Sequence, residues 1–204
     1  MEVPKSKKEL AILLSRVRGY TSPKAEFEQY VTPSEIASRL IWAAYERGRI
    51  VGKNVCDLGA GTGILIIGAM LLGARRGYAV EKDPDAIEDL KRNLSAFGLE
   101  RRVEIVEADV SDVELRVDTV VMNPPYGVQR KGASLPFLIK ATEIGECVYM
   151  IVPRGLLEEK RAILEDRGFG IEFVEEDWME LPPTYPWHDS RMYRFRVCLV
   201  GFAK

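Results

Sequence analysis

The 204-residue sequence predicts an α/β protein built on a doubly wound, seven-stranded sheet, with a helical appendage at its N-terminus. Three observations predict this class. From Lys53 onward, short β-branched runs alternate with helical stretches, the pattern of a mostly parallel sheet covered on both faces. A glycine-rich turn, Gly59-Ala60-Gly61-Thr62-Gly63, separates the first such run from the first such helix, where the chain must bend tightly. The last two runs have no helix between them and are expected to pair antiparallel.

The elements follow in order. Leu10, Leu13, Leu14 and Val17 recur at helical spacing, so residues 5–18 read as an amphipathic helix. Gly19-Tyr20-Thr21-Ser22-Pro23 breaks it. A second helix is expected after Thr32-Pro33, with Thr32 as N-cap, Pro33 in the first turn and Glu35 near the positive helix end. It runs to about Gly48. Strands are expected at 53–57, 76–81, 102–106, 117–122, 146–152, 171–176 and 193–202. Helices are expected at 63–73, 84–97, 134–144 and 156–167. The chain shows no repeat, low-complexity tract or linker. It reads as a single domain over 1–204, with the appendage at 1–50 and the core at 51–204.

Composition excludes several functions. A net charge of -2 argues against a protein that coats nucleic acid through bulk charge, though it leaves room for a local basic groove. Cys56, Cys147 and Cys198 lie far apart, form no CxxC pair and are accompanied by one histidine, His188, so no structural metal site is expected. The cysteines read as small buried apolar residues of a protein kept in a reducing compartment. The apolar stretch Leu10–Leu14 is too short to span a membrane and wrong for a signal peptide, so a cytoplasmic protein is expected.

The glycine turn carries chemistry. Its pattern is Asp57-Leu58-Gly59-x-Gly61-x-Gly63, with an acid just before the first glycine. An acid there repels a pyrophosphate and suits a cationic amine, such as the methionine part of S-adenosylmethionine. A nucleotide ligand calls for a second acid about twenty residues on, to accept from ribose hydroxyls. Glu81 ends the next expected strand, with Lys82 and Asp83 read as a solvated turn before Pro84. A third acid, Asp109, ends the strand after that; it can accept from an adenine amino group, with Val110 nearby. Three strand ends on one sheet edge make a cofactor trench.

Asn123-Pro124-Pro125-Tyr126-Gly127 follows the fourth strand at the same edge. Two prolines remove two backbone donors and stiffen the loop. The Asn123 side-chain oxygen and the Pro124 carbonyl can both accept from one –NH2 group. An exocyclic adenine amine or a glutamine amide has its lone pair delocalised into a π system. Two acceptors gripping its N–H bonds favour its attack on a methyl group and stabilise the charge that develops. Tyr126 offers a flat face for a flipped base. The motif itself does not discriminate adenine from glutamine.

These residues resemble the class I methyltransferases that act on amino groups. Phe27-Glu28-Gln29-Tyr30-Val31-Thr32-Pro33 is similar to a segment of the methyltransferase-like protein 5 family and its archaeal relatives. The resemblance continues through Met122–Gly127, Phe137-Leu138 and Leu181-Pro182 … Tyr185 … His188, so it covers nearly the whole chain. It implies a Rossmann-like sheet and methylation of adenine N6 in ribosomal RNA. S-adenosylmethionine is then the donor and S-adenosylhomocysteine the product. It also implies a small activator subunit at a sheet edge, for which 102–106 is the candidate strand. The cofactor site is expected to comprise Gln29, Tyr30, Thr32, Asp57, Gly59, Gly61, Thr62, Gly63, Ile64, Glu81, Lys82, Asp109, Val110 and Asn123. Catalysis is expected of Asn123, Pro124, Pro125 and Tyr126. Tyr126 stands where the family often has Phe, Glu81 where it often has Asp, and Ala60 and Thr62 where it has cysteines.

On the substrate side, Arg130 and Lys131 directly follow the catalytic loop and are the best candidates for RNA contact. Arg16, Arg18, Lys24, Arg191, Arg194 and Arg196 join them if they converge. Leu181–Asp189, with Tyr185, Trp187 and His188, reads equally as a flap over a base or an ordinary connection. A release-factor-type glutamine methyltransferase is the alternative, and a non-catalytic cofactor-binding scaffold a third reading.

Overall fold

The computed structural model describes residues 2–127, 129–181 and 193–204. Helices α1 (Lys7–Leu14) and α2 (Ser34–Glu46) precede the sheet. The chain then runs β1 (Asn54–Leu58), α3 (Ile64–Leu71), β2 (Arg76–Glu81), α4 (Pro84–Ala96), β3 (Val103–Glu107) and β4 (Val117–Met122). It continues through α5 (Leu135–Ile144), β5 (Gly145–Pro153), α6 (Leu157–Asp166), β6 (Gly170–Leu181) and β7 (Tyr193–Ala203). The seven strands lie in the order β3-β2-β1-β4-β5-β7-β6. β1 to β5 are parallel, and β7 inserts antiparallel between β5 and β6. The doubly wound sheet and the antiparallel last pair are as the sequence predicts.

Alternation along the strands divides the core. Val121, Tyr149, Ile151 and Leu199 face a layer that includes α1, α2, α3 and α4. Val120, Met122, Val148, Met150 and Val200 face α5 and α6. α3 is apolar all round and entirely buried, as a helix pressed between the sheet and a second helical layer must be. That second layer is α1 and α2, whose Leu10, Leu14, Leu40 and Ile41 are fully buried in the same cluster. Truncating any one of these leucines costs about 2–5 kcal/mol.

Two expectations are corrected. Thr32 is not the N-cap of α2: the helix starts one residue later, Pro33 holds the cap position with an extended ψ of 137°, and no side chain caps it. The Thr32 hydroxyl is used elsewhere, as described below. β6 extends five residues past the expected end at 176. Glu175-Glu176-Asp177 is poor strand sequence, but its pairing with β7 overrides propensity. On the outer face Glu180 meets Arg194, and Arg194 and Arg196 lie 4.6 and 5.2 Å from the Trp178 ring centre. No helix among the described residues is long and apolar enough to cross a membrane. All three cysteines are buried and free.

The sheet order sets the position of the site. From β1 the chain moves outward through β2 to β3, then returns to β4 on the other side of β1. The crevice of a doubly wound sheet opens at that reversal, beyond the carboxyl ends of the strands. The register aligns Leu58 with Val80 and Glu81 with Glu107. Gly59, Asp109 and Asn123 therefore follow strand ends along one edge.

Candidate active site

A cavity of about 630 Å³ occupies this edge. The glycine turn forms its floor. Gly59, Gly61 and Gly63 have φ of 73°, 53° and 88°, a region that L side chains rarely adopt. A Cβ at Gly59 would lie 2.9 Å from the Phe137 ring, and one at Gly61 would collide with the Tyr20 hydroxyl. Phe137 and Tyr20 therefore close on the turn from opposite sides. Gly59 reaches the cavity wall; Gly61 and Gly63 shape the turn behind it.

The three strand-end acids differ in their surroundings. Asp57 is 1% exposed; its Oδ2 accepts from the Ile66 N–H at 3.1 Å, and its Oδ1 has no hydrogen-bond partner among the described residues. Burial pushes its carboxyl up to about 8, against the pull of the Ile66 bond and with the help of nearby Glu81. Glu81 accepts three backbone N–H groups: Gly61 at 2.9 Å, Lys82 at 2.8 Å and Asp83 at 3.0 Å. That leaves about one of its four lone-pair sites open. Asp109 caps the turn after β3 through the Ser111 N–H, which with Lys82 holds its carboxyl below the ordinary value. Lys82 spans the rim, its Nζ 3.2 Å from Asp109 Oδ2 and 4.9 Å from the Phe27 ring centre.

Asp83 departs from its reading as part of a solvated turn. It is 1% exposed and receives Lys24 Nζ and, at 2.7 Å, Gln29 Nε2. Burial raises its carboxyl, but those two bonds outweigh burial and hold it below its ordinary value. Lys24 is also paired with Asp85, so it is committed here rather than presented to a substrate. Gln29 sits at the cavity wall, yet its amide binds Asp83 and the Lys24 N–H (2.7 Å).

The Asn-Pro-Pro-Tyr loop closes the far end. Asn123 and Pro125 reach the cavity. Asn123 Nδ2 donates to Thr32 Oγ1 at 3.0 Å, and its Oδ1 accepts from the Tyr126 hydroxyl at 2.8 Å. Pro124 and Tyr126 back instead onto a side lined by Leu138, Met150 and Lys160. The Tyr126 ring meets Phe195 edge-on at 5.9 Å. Burial drives its hydroxyl well above the ordinary value, so it stays a donor to Asn123.

Glu28 lies across from this loop. Its carboxylate accepts from the backbone N–H groups of Tyr126 (2.7 Å), Gly127 (3.2 Å) and Gln129 (2.8 Å). Sequence reasoning missed Tyr20, Glu28 and Asp83 as parts of the site, and it read Lys24 as a candidate RNA contact rather than a partner of Asp83. The only signal was that Glu28 falls inside the segment that carries the family resemblance.

The other expected residues are distributed as follows. Tyr30, Thr62, Ile64 and Val110 line the cavity, as do Arg130 and Lys131. Both basic residues are exposed, and neither has an ion-pair partner among the described residues. Arg194 and Arg196 pair with Glu180 and Glu176 on the outer strand. Arg16 and Arg18 are exposed on the segment after α1. Arg191 and the stretch with Tyr185, Trp187 and His188 lie outside the described residues.

Comparisons with known proteins bear on this arrangement. A Drosophila melanogaster rRNA N6-adenosine-methyltransferase, Mettl5, is 38% identical over 189 residues, spanning 87% of each chain. The Danio rerio rRNA N6-adenosine-methyltransferase METTL5 is 30% identical over 96% of this chain and 98% of its own. The chain belongs to the METTL5 family. It is thus a methyltransferase, and both family and fold imply S-adenosylmethionine as donor. A crystal structure of a Pyrococcus horikoshii protein, provisionally assigned as an RNA methyltransferase, superposes with a TM-score of 0.92 at 41% identity, covering 98% of both chains. The profile of the ribosomal protein L11 methyltransferase (PrmA) family matches residues 38–124, which span the glycine turn, Glu81, Asp109 and the first two residues of the Asn-Pro-Pro-Tyr loop.

The residues present fit that cofactor. An unpartnered buried carboxylate oxygen on Asp57 suits a cationic amine. Glu81 and Asp109 follow in the order that a ribose and an adenine require, and Gly59 lets the backbone of the turn reach the cavity. The Asn123–Tyr126 loop, with Asn123 and Pro125 reaching the cavity, stands at the opposite wall.

Proposed function

We propose that this chain methylates the N6 amine of an adenosine in ribosomal RNA. The full-length likeness to rRNA N6-adenosine-methyltransferases carries this reading, and the two uncommitted basic residues at the cavity mouth support it. The donor supplies an electrophilic methyl group on its sulfonium, so the protein needs no nucleophile of its own. Asp57 would hold the cationic amine of the donor, Glu81 its ribose hydroxyls and Asp109 its adenine, with Val110 and Ile64 against the ring. Gln29, Tyr30, Thr32, Thr62 and Lys82 complete that wall. Asn123 Oδ1 accepts from the target amine, and the Pro124 carbonyl, which does not line the cavity in this structure, would join it on a turn of the loop. An amide oxygen has two lone pairs, so Asn123 can keep the Tyr126 hydroxyl while it receives an N–H. Donors and acceptors set in advance around the developing charge are where such an enzyme gains most. Arg130 and Lys131 contact phosphates beside the flipped base. Appendage and core act as one unit, since residues 24–32 form part of the site.

A protein acceptor is the second reading, favoured by the match to the ribosomal protein L11 methyltransferase profile. That match covers residues 38–124, less than half of the chain, whereas the likeness to the rRNA N6-adenosine-methyltransferases runs over nearly its full length. The test is incubation with labelled donor and native ribosomal RNA, followed by nucleoside mass spectrometry. N6-methyladenosine that disappears in Asn123→Ala is expected; label in protein alone, or on guanine or cytosine, overturns the reading. The small activator subunit that the resemblance implies is proposed to pair with β3, which is an edge strand with its outer side open. Full turnover by the isolated chain would remove the need for it.

A further inference from the structure

We infer that Glu28 is a positioning residue: it clamps the far end of the catalytic loop and ties it to the cofactor wall. The inference rests on the reading of Asn123–Tyr126 as the catalytic loop. That loop has few ways to hold itself. Pro124 and Pro125 lack N–H groups, so the first donors after Asn123 are those of Tyr126 and Gly127, with Gln129 beyond. One carboxylate from a remote segment takes all three. Bonds to an ionised acceptor are about twice as strong as neutral ones. The near end of the loop is held by the same segment, through Thr32 and Asn123.

The segment is built for this. Glu28 has φ 51° and ψ 42°, the only left-handed non-glycine among the described residues. The left-handed conformation is unfavourable for a residue with a Cβ, so the contacts around it must hold it there. The Glu28 N–H bond to the Ala25 carbonyl (2.9 Å) and the Lys24 N–H bond to Gln29 Oε1 (2.7 Å) hold the bend. The result is that consecutive side chains serve opposite walls. Glu28 reaches the catalytic loop, while Gln29 reaches Asp83, whose own N–H is bound by Glu81. A hydrogen-bonded path thus links the ribose-binding acid to the backbone that carries the acceptor groups. It sets the distance between methyl donor and target amine, and an error of about 1 Å in that distance costs on the order of 100-fold in rate.

The test uses Glu28→Gln, which keeps the shape but turns a donor toward one of the three N–H groups, and Glu28→Gly, which also relaxes the bend. We expect kcat on ribosomal RNA to fall at least tenfold in each. The affinity for S-adenosylhomocysteine should stay within twofold, and hydrogen exchange at the amides of 126, 127 and 129 should accelerate. An unchanged kcat, or a kcat that falls only in step with cofactor affinity, overturns the inference. Glu28→Gly answers if Glu28→Gln folds poorly. The exchange measurement needs no acceptor: unprotected amides in the wild type would refute the clamp even if the RNA assignment stood. Loss of protection in the variant would uphold it even if that assignment failed.

Discussion

Thr32 and Asn123, ninety-one residues apart, meet across the site: the Asn123 amide nitrogen donates to the Thr32 hydroxyl at 3.0 Å. An amide that can flip presents either a donor or an acceptor to the substrate. The Thr32 bond directs the nitrogen away, and the Tyr126 hydroxyl marks the other end as the oxygen. Thr32→Val keeps the shape and removes the acceptor. The expected result is a kcat about tenfold lower, recovered in Thr32→Ser. Steady-state kinetics on RNA decide it, and a Val variant with wild-type kcat would refute the orienting role.

Tyr126 has two separable parts. Its hydroxyl shares Asn123, and its ring fills space against Phe195 and Met179, with the hydroxyl 3.7 Å from the sulfur. In its present place the ring does not lie open on the cavity, so stacking on a base requires it to turn. Thr32 still orients Asn123 when the hydroxyl is gone. Tyr126→Phe is therefore expected to keep activity within about fivefold, and Tyr126→Ala to lose about 100-fold. Equal losses in the two would assign the effect to the hydroxyl instead.

Asp57 gives the molecule a pH signature. Its folded-state value of about 8 lies above that of an unfolded carboxyl, so the folded form prefers the proton. Below about pH 4 both states hold the proton and the contribution is fully present. From there to about pH 8 the unfolded chain gives up a proton that the folded one keeps, so stability falls as pH rises. Asp57→Asn should flatten that slope in melting curves. A cationic amine beside Oδ1 reverses the preference, so donor binding near pH 7 should release close to one proton. Titration calorimetry in buffers of different ionisation enthalpy measures this, and no release would remove Asp57 from the amine site.

Arg130 and Lys131 line the cavity mouth and make no close ion pair among the described residues, although Lys131 is near enough to Glu159 to favour its ionised form. A phosphate contact predicts salt dependence. Alanine at both positions should weaken RNA binding and lower the slope of log affinity against log salt by about 1–2. Donor affinity should be unaffected. A slope identical to the wild type would favour a protein acceptor.

Much of this was legible in the sequence where signals are local. β2 and β4 match expectation at both ends because each apolar stretch stops at a polar residue, Glu81 or Asn123, that leads into a proline-containing turn. The acids at 57, 81 and 109 could be read because a parallel sheet brings successive strand ends to one edge. The extension of β6 past 176 could not, since it is held by pairing with β7, a contact that no local pattern records. Glu28, Asp83 and Tyr20 were hidden for a different reason. Glu28 acts on Tyr126 at a separation of 98 residues and Gln29 on Asp83 at 54, and no periodicity records such contacts. Thr32 misled because a threonine before proline is a good helix cap, yet here its hydroxyl is spent on Asn123.

Asn93 makes the last case, because it joins the appendage to the cofactor floor. It is 1% exposed on α4. Its Oδ1 accepts from the Arg18 N–H at 3.0 Å, and its Nδ2 donates to the carbonyls of Arg18 and Thr62, each at 2.9 Å. Asp89, one turn earlier, holds Thr21 by its N–H (2.8 Å) and its hydroxyl. Tyr20, which covers Gly61, lies between these two attachments. Asn93→Ala breaks three bonds and strands the Thr62 carbonyl in a buried place, a loss of about 2–4 kcal/mol. For a chain of this size that lowers the melting temperature by about 5–15 °C. Donor affinity should fall as well, since Thr62 and Tyr20 both border the cavity. Asn93→Asp keeps the acceptor for Arg18 but turns a carboxylate oxygen onto two carbonyls in a buried place, so it should destabilise at least as much as Ala. Differential scanning calorimetry with and without S-adenosylhomocysteine measures both effects. A melting temperature unchanged in Asn93→Ala would mean that these three bonds do not hold the appendage.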